Sequence, residues 1–84
     1  MRSITEARAW MAADLGDLYT VGDVRNGAFS AIPMQNFCAL SWRLKVFETK
    51  DGLAVECCMG GLYSTFTYDT DEGFEKVIRA SAAL

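Results

Sequence analysis

Residues 42–68 read WRLKVFETKDGLAVECCMGGLYSTFTY, and the alternation of apolar and polar side chains along them decides the fold. Turn signals interrupt this alternation twice, at residues 49–52 (TKDG) and at residues 60–61 (GG). Alternating runs separated by short glycine-containing turns are typical of antiparallel strands joined by hairpins. The segment therefore predicts a three-stranded antiparallel meander.

The alternation also divides the meander into an apolar face and a mixed face, as in a sheet that is covered on one side only. The mixed face is predicted to bring together four candidate partner-binding residues: Arg43, Lys45, Phe47 and Tyr63. Aromatic residues and arginine are enriched in protein interfaces and at their hot spots. An ordinary solvated sheet face, or one covered by another segment, is the alternative interpretation.

One helix is predicted before the meander and another after it. Ser3 and Glu6 form an S-x-x-E capping box, and apolar residues follow at helical spacing as far as Gly16. After the third strand, Asp69 or Thr70 is the expected N-cap of the second helix. The residues expected to be buried are Ile4, Ala7, Trp10, Met11 and Leu15 in the first helix and Phe74, Val77, Ile78 and Ser81 in the second.

Residues 17–37 connect the first helix to the meander and allow two interpretations. In one, Thr20 caps a short helix that ends near residues 26–27. In the other, Asn26-Gly27 is the turn of a hairpin between residues 19–25 and 28–32, and Asn-Gly is among the strongest hairpin signals. Because the flanking alternation is poor, we expect a loop-rich connection with a short strand or helical turn.

Together these elements predict a single domain over residues 1–84, of the α+β class. It has two layers: the three-stranded antiparallel meander, and the N-terminal and C-terminal helices packed on its apolar face. Since 51% of the residues are hydrophobic and 12% are aromatic, the chain has the apolar surface that folding requires. The core of a domain this small is nevertheless thin.

The composition argues against catalysis and against cofactor binding. The chain has no histidine, the residue whose pKa best suits general base catalysis and the commonest metal ligand. No spacing matches a phosphate-binding loop, a dinucleotide fingerprint, a zinc element or a calcium loop. The three cysteines, two of them adjacent, are expected to be free thiols in a reducing compartment. We therefore expect a non-enzymatic protein with no catalytic residue, no cofactor and no metal.

The strongest charge feature is an acidic cluster at the exit of the meander, made of Asp69, Asp71, Glu72 and Glu75. Helix capping accounts for the first three, and Glu75 is expected to pair with Arg79, four residues further on. The functional interpretation is that these carboxylates bind a basic surface in place of nucleic-acid phosphates. The net charge of −3 argues against direct binding to nucleic acid, because that affinity depends mainly on Lys and Arg contacts to phosphate.

In its size, its acidity and its lack of catalytic motifs, the whole chain is similar to the small acidic proteins that phages and mobile elements encode, including the anti-CRISPR inhibitors. The resemblance is one of size and charge profile. It implies a stoichiometric inhibitor that occludes a basic, nucleic-acid-binding surface on a larger protein or nucleoprotein effector.

A small transcriptional regulator is the alternative function. The N-terminal helix, residues 20–24 and the hairpin of residues 43–58 can be arranged as a helix-turn-helix with a wing. Its recognition segment, residues 21–32, would carry only one arginine and one aspartate, which argues against it. A homodimer is compatible with either function, because free sheet edges are usually covered or paired. Since no apolar run approaches the ~18–20 residues of a membrane span, we expect a soluble cytoplasmic protein.

Overall fold

The computed structural model describes residues 1–34, 42–59 and 61–82 of the 84-residue chain. In chain order its elements are α1 (Ile4–Asp14), β1 (Tyr19–Val21), β2 (Ala28–Pro33), β3 (Trp42–Glu48), β4 (Leu53–Met59), β5 (Leu62–Tyr68) and α2 (Asp71–Ala82). The strands form one antiparallel sheet in the order β1-β2-β3-β4-β5. The α+β class is therefore confirmed. The expected number of strands is wrong, because β1 and β2 extend the meander to five strands.

The two additional strands come from the connecting segment, where the hairpin interpretation is the correct one. Arg25 bridges Ala28, and the intervening Asn26 and Gly27 have φ angles of +52° and +72°. Positive φ at both central positions defines the type I′ geometry that Asn-Gly favours. The expectation of a loop-rich connection is wrong over residues 17–34, because the Asn-Gly turn specifies the hairpin despite its irregular alternation. Residues 35–37 lie outside the described residues.

The pairing register places alternate side chains on opposite faces of the sheet. Leu44 of β3 lies opposite Ala31 of β2 and Cys57 of β4, and these positions face the helices. We call this side the helix-covered face and the other side, which carries Arg43 and Lys45, the open face. The buried core joins both helices to the helix-covered face through Ile4, Ala7, Met11, Leu15, Tyr19, Phe29, Ala31, Leu44, Val46, Leu53, Val55, Phe74 and Ile78.

Both helices begin at the caps that local sequence signals indicate. In α1, the Glu6 N–H donates to Ser3 Oγ at 3.1 Å and the Ser3 N–H donates to Glu6 Oε1 at 3.0 Å, which confirms the capping box. These hydrogen bonds hold the pKa of Glu6 below its ordinary value. In α2, the Gly73 N–H donates to Thr70 Oγ1 at 3.1 Å, so Thr70 rather than Asp69 is the cap.

The two helices contact each other through Trp10. Its ring centroid lies 5.9 Å from that of Phe74, and the Arg79 guanidinium lies 5.5 Å from the Trp10 ring centroid. Arg79 also lies 3.5 Å from Asp14 of α1. The expected pair between Glu75 and Arg79 is wrong, because Glu75 instead binds Arg2. Contacts with Arg2, which precedes α1, and with Asp14 of α1 therefore replace the contact within α2.

The Tyr19→Phe variant should lose less of its free energy of unfolding at alkaline pH than the wild type does. Tyr19 is buried, its hydroxyl donates a long hydrogen bond of 3.4 Å to the Ile78 carbonyl, and burial raises its pKa from 10.0 to about 12. Because the unfolded chain loses this proton at lower pH, the stabilisation is complete below pH 10.0 and is lost as pH rises toward about 12. Denaturant unfolding across this range should show a smaller decline in the variant than in the wild type. Equal declines would contradict the effect.

Gly52→Ala should destabilise the protein more than Gly61→Ala. A Cβ atom at Gly52 would overlap the carbonyl oxygen of Tyr68 and lie 3.2 Å from the Cα of Asp69. At Gly61, where φ is +88°, a Cβ would meet nothing within 4 Å, so only backbone strain of ~1–2 kcal/mol is expected. Gly52→Ala must displace backbone and should cost ~3 kcal/mol. Urea unfolding compares the two variants, and equal losses would contradict the close approach at Gly52.

Candidate protein-interaction surfaces

The fold brings the turn between β3 and β4 next to the acidic exit of β5. Leu53 pairs with Tyr68, and Gly52 lies directly against the Tyr68 carbonyl and Asp69. Two carboxylates from the end of β3 and the following turn, Glu48 and Asp51, therefore lie at the same end of the sheet as the start of α2. We define the acidic rim as Glu48, Asp51, Asp69, Asp71 and Glu72.

Two members of the predicted acidic cluster are engaged in internal contacts. The Arg2 backbone N–H donates to Asp71 Oδ1 at 2.7 Å, and Arg2 Nη1 donates to Glu75 Oε2 at 2.9 Å. The hydrogen bond with Glu75 is the largest cause of a raised Arg2 pKa. The Arg2 guanidinium also lies 5.2 Å from the Trp10 ring centroid. Asp71 and Glu75 thus hold the start of α1 against α2, and Glu75 is not part of the rim.

The other carboxylates of the acidic rim remain available to solvent. Asp69 and Glu72 are exposed, and Glu48 and Asp51 are exposed beside them. Within the described part of the chain, these four residues take part in no ion pair. Lys50 is the exposed cation of the same turn. Four exposed carboxylates and one lysine make the rim locally acidic, and Lys76 lines the same cavity as Glu72.

Sequence reasoning did not assign Glu48 and Asp51 to the candidate site. They lie far before Asp69 in the sequence, and neither forms part of a local motif that would indicate a binding site. The signal that locates them is the register of the meander, since Leu53 lies opposite both Glu48 and Tyr68. Counting the two hairpins residue by residue would have placed the turn beside the exit of β5.

The candidate residues of the open face share that face, as predicted, but form two groups. Arg43 and Tyr63 lie on either side of Cys58, and both are exposed. Lys45 lies over Phe47, with Nζ 5.9 Å from the ring centroid. Along β4, the positions of Phe47 and Tyr63 are four residues apart, roughly 13 Å at the rise of an extended strand, and Lys45 lies between them. The two aromatic side chains therefore do not form one continuous patch.

An open cavity of about 370 Å³ connects the Phe47 group with the acidic rim. Its lining residues are Asn26, Gly27, Ala28, Lys45, Phe47, Glu48 and Glu56. Glu48 belongs to the rim, and Phe47 and Lys45 belong to the open face. The cavity therefore joins part of the open face to one carboxylate of the rim, while Arg43 and Tyr63 lie beyond it.

The described residues offer little support for metal or thiol chemistry. Among residues 1–34, 42–59 and 61–82, no three Cys, Asp or Glu side chains converge as a metal site. Cys57 and Cys58 are free thiols on opposite faces, and Cys38 lies outside the described residues. Burial raises the pKa of Cys57, with a smaller opposing effect from Ser81, and a reactive thiol requires the opposite shift.

Comparison of the chain with known protein families, with curated proteins and with solved structures found no match. In the described part of the chain, neither helix has the length and apolar character needed to cross a membrane. The functional argument accordingly depends on the surfaces themselves. Exposed carboxylates beside an aromatic and basic sheet face can bind a protein surface of complementary charge.

Arg2→Met should lower the thermal midpoint more than Arg25→Met. Arg2 contacts Asp71, Glu75 and Trp10, whereas Arg25 is exposed and has no ion-pair partner among the described side chains. Both changes remove one positive charge, so the difference between the two thermal midpoints measures the contribution of the contacts that Arg2 makes. Circular dichroism melts at low and high salt would measure it. The difference should shrink in high salt, and equal midpoints would show that Arg2 does not hold the helices together.

Proposed function

We propose that the protein is a non-enzymatic inhibitor that binds a larger protein or nucleoprotein and occludes a basic, nucleic-acid-binding surface on it. Its mode of action would resemble that of anti-CRISPR inhibitors that block such surfaces. The observation that supports this proposal is the acidic rim, in which Glu48, Asp51, Asp69 and Glu72 are exposed without an ion-pair partner among the described residues.

Unneutralised carboxylates on one end of a small domain act at a distance. The rim produces a negative potential that attracts a basic surface and accelerates encounter at low ionic strength. Asp71 differs from the other rim residues because Arg2 already binds it. In this proposal the contact with the partner is made mainly by Asp69 and Glu72, and Glu48 and Asp51 widen it.

The open face provides a second part of the proposed contact. Phe47 and Lys45 border the same cavity as Glu48, so a partner seated on the rim would also reach them. Arg43 and Tyr63 lie further along the face and would be contacted only by a broader partner surface. Aromatic side chains contribute strongly when a partner excludes water from them. The carboxylates would thus orient the partner, and the aromatic groups would add affinity.

The transcriptional regulator is not carried forward as a second function. Its helix-turn-helix arrangement needs a helix over residues 20–24, whereas residues Tyr19–Val21 form strand β1. Its recognition segment corresponds to a hairpin that exposes one arginine, Arg25, and one aspartate, Asp23. An acidic protein that occupies a surface also requires no cofactor. We place its proposed action in the cytoplasm, where free thiols remain reduced.

Asp69→Lys/Glu72→Lys should abolish capture of the partner. The matched control is Ala9→Lys/Ala13→Lys/Asp17→Lys, which makes the same change in net charge at exposed positions of α1 and the turn after it, none of which belongs to the rim or to an ion pair of the described residues. Wild type and both variants would be used as bait in a host lysate, with captured proteins quantified by mass spectrometry. Proteins retained by the wild type and the control, but lost by the rim variant, are the candidate partners.

A competition experiment tests whether the surface of the partner that binds this protein also binds nucleic acid. Duplex or guide-like nucleic acid added to the purified complex should displace the wild-type protein, and binding should weaken as salt rises. Circular dichroism would verify that both variants remain folded. The proposal fails if no captured protein depends on Asp69 and Glu72, or if nucleic acid leaves the complex intact.

A further inference from the structure

The free sheet edge at β5 is long, uncharged and largely exposed. The strand spans Leu62–Tyr68 and contains neither a charged residue nor proline. Leu62 is 78% exposed, Tyr63 61% and Phe66 49%. The opposite edge, β1, has three residues. Proteins usually protect edges with charge, proline or short length, and an edge without these features is a template for another strand.

The helix-covered face is left incomplete at this edge. Leu62 and Phe66 belong to that face, because they pair with Met59 and Val55 of β4. Val55 is fully buried, whereas the neighbouring Phe66 is half exposed. The cover that buries Val55 of β4 therefore does not extend over Leu62 and Phe66 of β5. The apolar residues on the edge are oriented as core residues are, without the cover that a core has.

The hydrogen-bond alternation identifies the free backbone groups of β5. The Thr49 N–H donates to the Gly52 carbonyl at 2.9 Å, and hydrogen-bonded pairs alternate along an antiparallel ladder from there. With Leu53 opposite both Glu48 and Tyr68, this alternation directs the backbone groups of Leu53 toward β5. The residues of β5 that instead direct N–H and C=O away from β4 are Tyr63, Thr65 and Thr67.

We propose that β5 pairs antiparallel with β5 of a second copy of this chain, about a two-fold axis at Ser64. This register joins two five-stranded sheets into one. It sets Leu62 opposite the second copy's Phe66, and Tyr63 opposite the second copy's Thr65. The free backbone groups of Tyr63 and Thr65 then bond reciprocally. Both apolar side chains of each copy are buried by the same two-fold operation.

The edge strand β5 is self-complementary, so the strand that fits it is β5 of a second copy of the chain. An isologous interface needs a patch that matches itself, and Leu62 and Phe66 are placed symmetrically about Ser64. The uncharged strand meets no like charge when it pairs with itself. A two-fold axis perpendicular to the sheet also keeps the helices of both copies on one side of it.

The direction of α2 follows from the same symmetry. Helix α2 begins shortly after β5 and runs back over the sheet, so the axis places the two copies of α2 antiparallel on one side of the joined sheet. The dimer does not rest on the proposed function, because it is argued from the apolar side chains and the free backbone groups of β5 and not from the acidic rim.

Light scattering coupled to size-exclusion chromatography tests the dimer over a dilution series from millimolar to micromolar protein. The wild type should reach twice the chain mass of 9.3 kDa at high concentration. Thr65→Pro removes an N–H that β4 does not use, and Leu62→Lys places a charge on the edge; each should raise the dimer dissociation constant at least about tenfold. Ile32→Lys, an exposed apolar position on β2, is the matched control and should dimerise like the wild type.

A cysteine placed at the two-fold axis tests the register. Ser64→Cys should form an intermolecular disulfide, because residues facing each other in a non-hydrogen-bonded pair have Cα atoms ~4.5 Å apart. The change is made with Cys57→Ala, since Cys57 lies opposite Ser64 within the chain and would compete. Thr67→Cys in the same background is the control. In the proposed dimer the two cysteines introduced at this position would lie far apart, so they should not cross-link.

Two results would overturn the proposal. One is a wild type that has the mass of a single chain at every concentration, including the case in which this edge binds only a strand of another protein. The other is a dimer that survives both Thr65→Pro and Leu62→Lys. If the dimer depends on β5 but Thr67→Cys cross-links and Ser64→Cys does not, the two-fold axis at Ser64 is wrong. Circular dichroism of each variant separates loss of the dimer from loss of the fold.

Discussion

The pairing of β4 with β3 on one side and with β5 on the other is the constraint on which the rest of the structure depends. This register holds Leu53 and Val55 on the helix-covered face, in line with Val46 of β3. A slip of one residue would turn these side chains to the open face and expose them. The same register places the turn between β3 and β4 beside the exit of β5, so the core and the acidic rim have one origin.

The charges of the protein divide into those that hold the helices and those that remain outside. Arg2, Arg8 and Arg79 each form an ion pair that joins one segment to another. Arg2 and Arg79 also lie over the ring of Trp10, which contacts Phe74. These contacts connect two helices that share a thin core. Among the rim carboxylates, Arg2 binds Asp71, whereas Glu48, Asp51, Asp69 and Glu72 form no ion pair in the described part of the chain. This contrast distinguishes a structural charge from one available for binding.

Predictions based on neighbouring residues were accurate, and those that needed distant residues were less so. The capping box of Ser3 and Glu6 is confirmed, and so are the buried positions Met11 and Phe74, because a helix is specified within a few turns. The pair of Glu75 with Arg79 is wrong because Arg2 and Asp14, distant in sequence, bind these side chains. The hairpin that contains β1 and β2 was one of two interpretations and was not preferred, because its alternation is short and irregular. Their place in the sheet depends on pairing with β3.

The sequence by itself determined the α+β class, the helix caps, the meander and the division of the meander into two faces. Each of these follows from the period of side chains along one element or from the conformational preference of one turn. Only the tertiary structure decided which carboxylates remain exposed and which of them Arg2 binds. It also decided that β5 is a free edge whose apolar residues lack cover. The physical reason is that exposure and charge pairing depend on what packs against a residue, and the packing partners lie far along the chain.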